Sequence, residues 1–229
     1  MTDWTAAELA IVWLSVKVAG VATLASAIPA VGVAWLLARG RFWGRTLLNV
    51  AVHLPLVVPP VVTGYLLLRL FGRRGPVGAW FEHYLGLQFS FRWTGAALAA
   101  AVMAFPLVVR AVRLGIESVD RQIEESAGTL GANSFGVFMT ITLPLALPGV
   151  LAGLIIGFAK ALGEFGATIT FVSNIPGETQ TLALAIYTEL QRPGGEVYAM
   201  RLTWLSIAIS VLALVASEVL GRSFRRSES

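Results

Sequence analysis

Residues 9–38 read LAIVWLSVKVAGVATLASAIPAVGVAWLLA, and Lys17 is the one charged side chain among them. A helix of this length crosses about 30 Å of hydrocarbon even when tilted. Four further stretches repeat the pattern: about Thr46 to Phe71, Thr94 to Gly115, Leu145 to Gly163, and Leu202 to Leu220. The whole chain agrees with them. Its 229 residues are 56% hydrophobic and 13% charged, with a mean hydropathy of +0.76. A soluble domain of this length has too much surface to carry so few charges. The sequence therefore predicts an all-α, polytopic transmembrane bundle of about five spans, forming a single domain over 1–229.

A net charge of +4 and a pI near 10.0 raise the question of nucleic acid. The arginines exclude that reading, because they sit at the ends of apolar runs and make no single basic face. Such placement orients a membrane protein. Arg39, Arg41 and Arg45 follow span one, Arg110, Arg113 and Arg121 flank the loop after span three, and Arg222, Arg225 and Arg226 close the chain. With these segments cytoplasmic, five spans put the N-terminus outside and the C-terminus inside. Arg73, Arg74 and Arg92 oppose that arrangement, since they fall in a loop it places outside. The opening Met1-Thr2-Asp3-Trp4 lacks the basic region of a cleavable signal, so span one is expected to be retained. Cysteine is absent, which excludes disulfides, thiol nucleophiles and thiolate metal sites.

Two segments are neither spans nor short turns: about Glu117 to Thr142, and Glu164 to Met200. The first holds Glu125-Ser126-Ala127, then Gly131, then Ile141, Leu143 and Pro144. Ala127 and Gly131 lie four apart and share a helical face. Gly131 can end one short helix at positive φ, and Asn133 or Ser134 can cap a second, with Phe135 and Phe138 on one side. Proline at the start of span four costs little.

These spacings resemble the signature loop of bacterial ABC importer permeases: Glu-Ala-Ala, three residues, Gly, nine residues, Ile, one residue, Leu-Pro. Every offset matches, and Ser126 replaces the first alanine. The resemblance extends over nearly the whole chain. HLPLVVPP at 53–60, GRRG at 72–75 and LGEFGATITFVSNIPGE at 162–178 look like the molybdate/sulfate/tungstate group, and most like its short molybdate permeases. It implies a type I ABC importer permease fold in the bacterial inner membrane, with a coupling loop at about 117–143. Glu125, Ser126, Ala127, Gly131, Ile141, Leu143 and Pro144 would then face an ATPase. It also implies a second copy of the chain, two ATP-binding cassette subunits and a periplasmic molybdate-binding protein as partners. No phosphate loop of the form Gly-x-x-x-x-Gly-Lys-Ser/Thr is present, so ATP and Mg belong to the partner and this chain is expected to bind no cofactor. Tungstate and sulfate stay open as substrates.

Several residues are candidates for the pore or gate. Pro55, Pro59 and Pro60 break span two, and broken backbone at membrane depth meets either protein or a watery cavity. Thr63 follows directly. Glu164 ends span four, with Lys160 four residues before it, so the two can pair and act as a gate contact. A static pair is the plainer alternative. Thr168, Thr170, Ser173 and Asn174 offer neutral donors, which suit an anion that must also leave. Lys17 reads as snorkelling or paired, and His53 as packed. No catalytic or metal-binding constellation is visible. An intramembrane enzyme would need a polar cluster that is not found, and a non-transporting scaffold would not need the 125–144 spacing.

Overall fold

The computed structural model describes residues 6–226, with side chains described through Val215. Met1 to Trp4, and the side chains of Arg222, Arg225 and Arg226, lie outside that description. Every described element is helical. Helix α1 spans Ala6–Arg39, α2 Arg45–Val57, α3 Pro60–Phe71, α4 Pro76–Leu85 and α5 Trp93–Glu117. Two short helices follow, α6 at Arg121–Thr129 and α7 at Ser134–Val137. A π-helical turn, Phe138–Thr142, leads into α8 at Leu143–Leu162. Then come α9 at Gly166–Val172, α10 at Leu182–Leu190 and α11 at Glu196–Arg226.

Among the described residues, four stretches are long and apolar enough to cross a membrane: Ala6–Arg39, Trp93–Glu117, Ser134–Leu162 and Glu196–Val215. The expected second span is not one straight helix. It is two helices, α2 and α3, bent by 113°. The cause is local. Val58 precedes Pro59, and Pro59 precedes Pro60; a residue before proline is pushed out of the helical region. Val58 accordingly has ψ 137° and Pro59 ψ 134°.

Helix α5 is the centre of the bundle. Its Ala96, Ala97, Ala99, Ala100 and Ala104 are buried against α1, α8 and α9. Small side chains bring helix backbones close, which is how apolar helices associate without water to drive them. Backbones come close at Gly115 and Gly149, where a Cβ on Gly149 would stand 2.7 Å from the Gly115 Cα. The bundle has two ends. At one, Arg45 donates to the Leu37 carbonyl and Arg39 to the carbonyls of Ile116 and Val119. At the other, Arg201 pairs with Glu8 and the Trp93 amide meets Glu178. Arg39, Arg45, Arg113 and Arg121 thus share the end that carries α6 and α7. Arg73 and Arg92 lie at the opposite end, paired with Glu82 and Glu178.

Candidate functional site

The segment 117–143 folds as two capped short helices. Asp120 caps α6 by accepting the Gln122 amide at 2.9 Å. Gly131 stops it at φ +91°, in the left-handed region that glycine enters without strain. The Ala132 amide then bonds the Ala127 carbonyl at 3.2 Å, the six-to-one closure of a glycine-terminated helix. Asn133 caps α7 by accepting the Gly136 amide at 2.6 Å. Pro144 sits in the first turn of α8, directly after the π-helical turn 138–142 and so inside the continuous helical stretch Ser134–Leu162. Phe135 and Phe138 do not share a side. Phe138 is buried against Trp35, while Phe135 is 65% exposed. Both lie in the continuous helical stretch Ser134–Leu162, but Phe138, in its π-helical turn, packs against α1, whereas Phe135 stands in the first turn and meets no ring among the described residues. Glu125, Ser126 and Leu130 are also exposed, and Ser126 donates to the Gln122 carbonyl.

Arg39, Glu124 and Thr142 form a cluster that holds this segment to the bundle, and of the three only Arg39 stands out in the sequence, as an orientation signal. Arg39 Nε lies 2.9 Å from Glu124 Oε2. Its terminal nitrogen donates to Glu124 Oε1 at 3.3 Å and to the carbonyls of Ile116 and Val119, each at 2.9 Å. Thr142, fully buried, donates to Glu124 Oε1 at 2.6 Å. A cavity of about 390 Å³ opens beside this cluster, lined among others by Trp35, Glu125 and Phe138. The signature spacing singles out Glu125, which is exposed; its neighbour Glu124 makes the contacts.

The second group lies where two helices break. Val58-Pro59 separates α2 from α3, and Gly163 to Phe165 separates α8 from α9. The breaks are adjacent: a Cβ on Gly166 would stand 2.7 Å from the Pro60 Cβ. One turn on, α3 and α9 touch backbone to backbone, since a Cβ on Gly64 would meet the Ala167 carbonyl at 2.5 Å. Glu164 is 3% exposed. Its Oε2 accepts Lys160 Nζ at 2.7 Å and its Oε1 accepts the Ala167 amide at 3.0 Å. The carboxylate therefore pairs with a cation on α8 and closes the first turn of α9, where a negative charge favours the helix dipole. Lys160 keeps a third of its side chain exposed.

Other candidates are placed differently from one another. Pro55 lies inside α2, and Pro59 and Pro60 are exposed at the bend. Thr63 and Thr168 are buried. Thr170 gives its proton to the Gly166 carbonyl, so it is no free donor. Ser173 ends α9 at φ +64° and is exposed. Asn174 donates to Leu184 and Thr188. Lys17 lies 3.6 Å above the centre of the Trp93 ring, and His53 Nδ1 meets the Asn49 carbonyl.

Long apolar helices around α5, with two capped helices clamped across one end, define the class as a membrane-spanning permease. The chain belongs to the family described as binding-protein-dependent transport system inner membrane component, whose model matches residues 30–226. It is 53% identical over 219 residues to the molybdenum transport system permease protein ModB of Haemophilus influenzae, covering 96% of each chain. It is 55% identical over 214 residues to ModB of Escherichia coli K12, covering 93% of each. The sulfate transport system permease protein CysT of E. coli is more distant, 36% identical over 85% of this chain and 69% of its own. Among solved structures, the MetNI methionine ABC transporter in inward-facing conformations matches with a TM-score of 0.70 at 14% identity, over 93% of this chain and 94% of that one. A bacterial ABC transporter involved in alginate import matches at 0.71 and 18% identity, over 96% and 80%. These two show the fold.

Proposed function

We propose that this chain is the membrane-spanning subunit of an ATP-driven importer that carries molybdate across the bacterial inner membrane. The observation that carries the reading is the segment 117–143. Its signature spacing is folded as a rigid, capped pair of helices that offers exposed Leu130 and Phe135 at one end of the bundle. An element of this shape fits a groove on a soluble partner. Two ATP-binding cassette subunits, holding ATP and Mg, would dock there. A second copy of the chain would complete the pore, and a periplasmic molybdate-binding protein would deliver the ion at the opposite end. That arrangement makes the α6–α7 end cytoplasmic and the N-terminus periplasmic.

The adjoining breaks at 58–60 and 163–165 are the gate in this reading. Irregular backbone at membrane depth is stable only against protein or a watery path. Pro55, Pro59, Pro60, Thr63, Glu164 and Thr168 gather around it, with Thr170 and Ser173 farther along α9. Glu164 would repel a dianion, so its role there is to hold Lys160 and α9 rather than to bind the ion. The family resemblance and the ModB relatives favour molybdate. The test is uptake of labelled molybdate into cells lacking their own permease, with sulfate and tungstate as competitors. Uptake suppressed by tungstate and not by sulfate is the expected result. Uptake suppressed by sulfate, or no uptake with all partners present, overturns the assignment.

A further inference from the structure

The arginines that mark the α6–α7 end of the bundle also satisfy the backbone there. The last carbonyls of a helix have no partner within it. At the end of α1 the Leu37 carbonyl accepts two bonds from Arg45, and the Ala38 carbonyl accepts Arg121 at 3.5 Å. At the end of α5 the carbonyls of Ile116 and Val119 accept Arg39. Arg39 also holds Glu124 of α6, and Glu124 holds Thr142, one residue before α8. Both side chains of the ion pair are about 15% exposed, so water competes little for it.

We infer that Arg39 is a positioning residue that makes the ends of α1, α5 and α8 and the segment 117–143 move as one body during transport. The inference rests on the reading of 117–143 as the ATPase-facing segment. One guanidinium bridges three elements, and a planar fork of donors is the group suited to do so. Lysine in its place offers its donors from one point and cannot span both Glu124 oxygens while reaching the two carbonyls. Without the clamp, a push on α6 would slide the short helices along the bundle instead of tilting the spans. Reversing the pair cannot rescue it, because glutamate at 39 would face two carbonyl oxygens.

The chain has no cysteine, so spin labels can be placed cleanly. Trp43→Cys and Gln122→Cys put them on exposed sites on either side of the clamp. In the assembled transporter the distance between them should be the same without nucleotide and with ATP bound, and should broaden in a Glu124→Gln background. A shift between states of a helical turn, about 5.4 Å, in the otherwise unsubstituted chain overturns the inference. Glu124→Gln and Arg39→Lys should each bring the ratio of substrate-stimulated to basal ATP hydrolysis close to one. The Arg39→Glu, Glu124→Arg pair should not restore it. A purely structural role would instead lower yield and melting temperature and keep the ratio, which also overturns the inference. If the unsubstituted complex shows no stimulation, the reading of 117–143 falls, and the clamp's part in coupling falls with it.

Discussion

Lys160 and Glu164 stand one helical turn apart, yet their surroundings differ. The carboxylate is buried and also bonds the Ala167 amide, while the ammonium is a third exposed. Removing one partner of an exposed pair costs about 0–1 kcal/mol and of a buried pair about 3–5 kcal/mol. The asymmetry makes the two substitutions unequal. Lys160→Met leaves a buried charge unpaired and should reduce uptake strongly. Glu164→Gln keeps an oxygen for Ala167 and leaves Lys160 able to reach water, so it should be milder. The double variant should recover part of the Lys160→Met loss. Uptake at matched protein level checks this, and full activity in Lys160→Met would show the pair to be idle. Gly131 is a second case. A Cβ there meets nothing within 4 Å, so only its positive φ resists substitution. Gly131→Asp should cost about 1–3 kcal/mol of local strain, leave the permease in the membrane and abolish substrate-stimulated ATP hydrolysis. Normal stimulation would remove Gly131 from coupling. All three residues were legible in the sequence, Gly131 by its offset and the pair by its spacing of four. Arg39 with Glu124 was not legible, because they stand 85 residues apart and no local rule joins them.

Among the elements, span two shows what a sequence can and cannot carry. The dipeptide Pro59-Pro60 announces a break, because it fixes the residues before it as extended. The angle is another matter. It is set by what each half packs on, α2 against α5 and α3 against α9, and those partners lie far along the chain. The boundaries of α1, α5 and α8 followed from apolar run length alone. The capped pair α6–α7 followed from Gly131 and Asn133. The separation of Phe135 from Phe138 did not, because it depends on Trp35, about a hundred residues earlier, covering only Phe138. Packing of α3 on α9 yields a prediction at this scale. A side chain at 64 must displace the Ala167 backbone, so Gly64→Leu should overpack the contact by about 1–3 kcal/mol. It should lower the melting temperature and block uptake, whereas the same change at Gly128, which has nothing within 4 Å, should leave the melting temperature unchanged. Equal melting curves for the two variants would deny that α3 and α9 form one unit.

Over the whole molecule, the charges divide by end. Arg39, Arg45, Arg113 and Arg121 cluster with α6 and α7, and Arg73 and Arg92 lie across the bundle with acidic partners, Glu82 and Glu178. Arginines at both ends have acidic partners, Arg39 with Glu124 and Arg113 with Glu117 at one and Arg73 with Glu82 and Arg92 with Glu178 at the other, so pairing does not tell the ends apart and a topology measurement must. A reporter active only outside the cell, fused after Ser229, should stay dark, and the same reporter inserted after Gly86 should be active. The reverse pattern would invert the molecule in the membrane.

The 113° bend also constrains how the chain is made. Helices α2 and α3 are 13 and 12 residues long, so each rises only about 20 Å. Neither alone bridges the roughly 30 Å of hydrocarbon. When 45–71 leaves the ribosome, α9, the support of α3, is about a hundred residues from being synthesised. The stretch would therefore enter the bilayer without that support, with the break at Val58-Pro59-Pro60 already present and its angle fixed only once 166–172 arrives. Truncation before α9 would trap this intermediate with the angle between α2 and α3 unset, and a membrane chaperone or protease would meet the protein there.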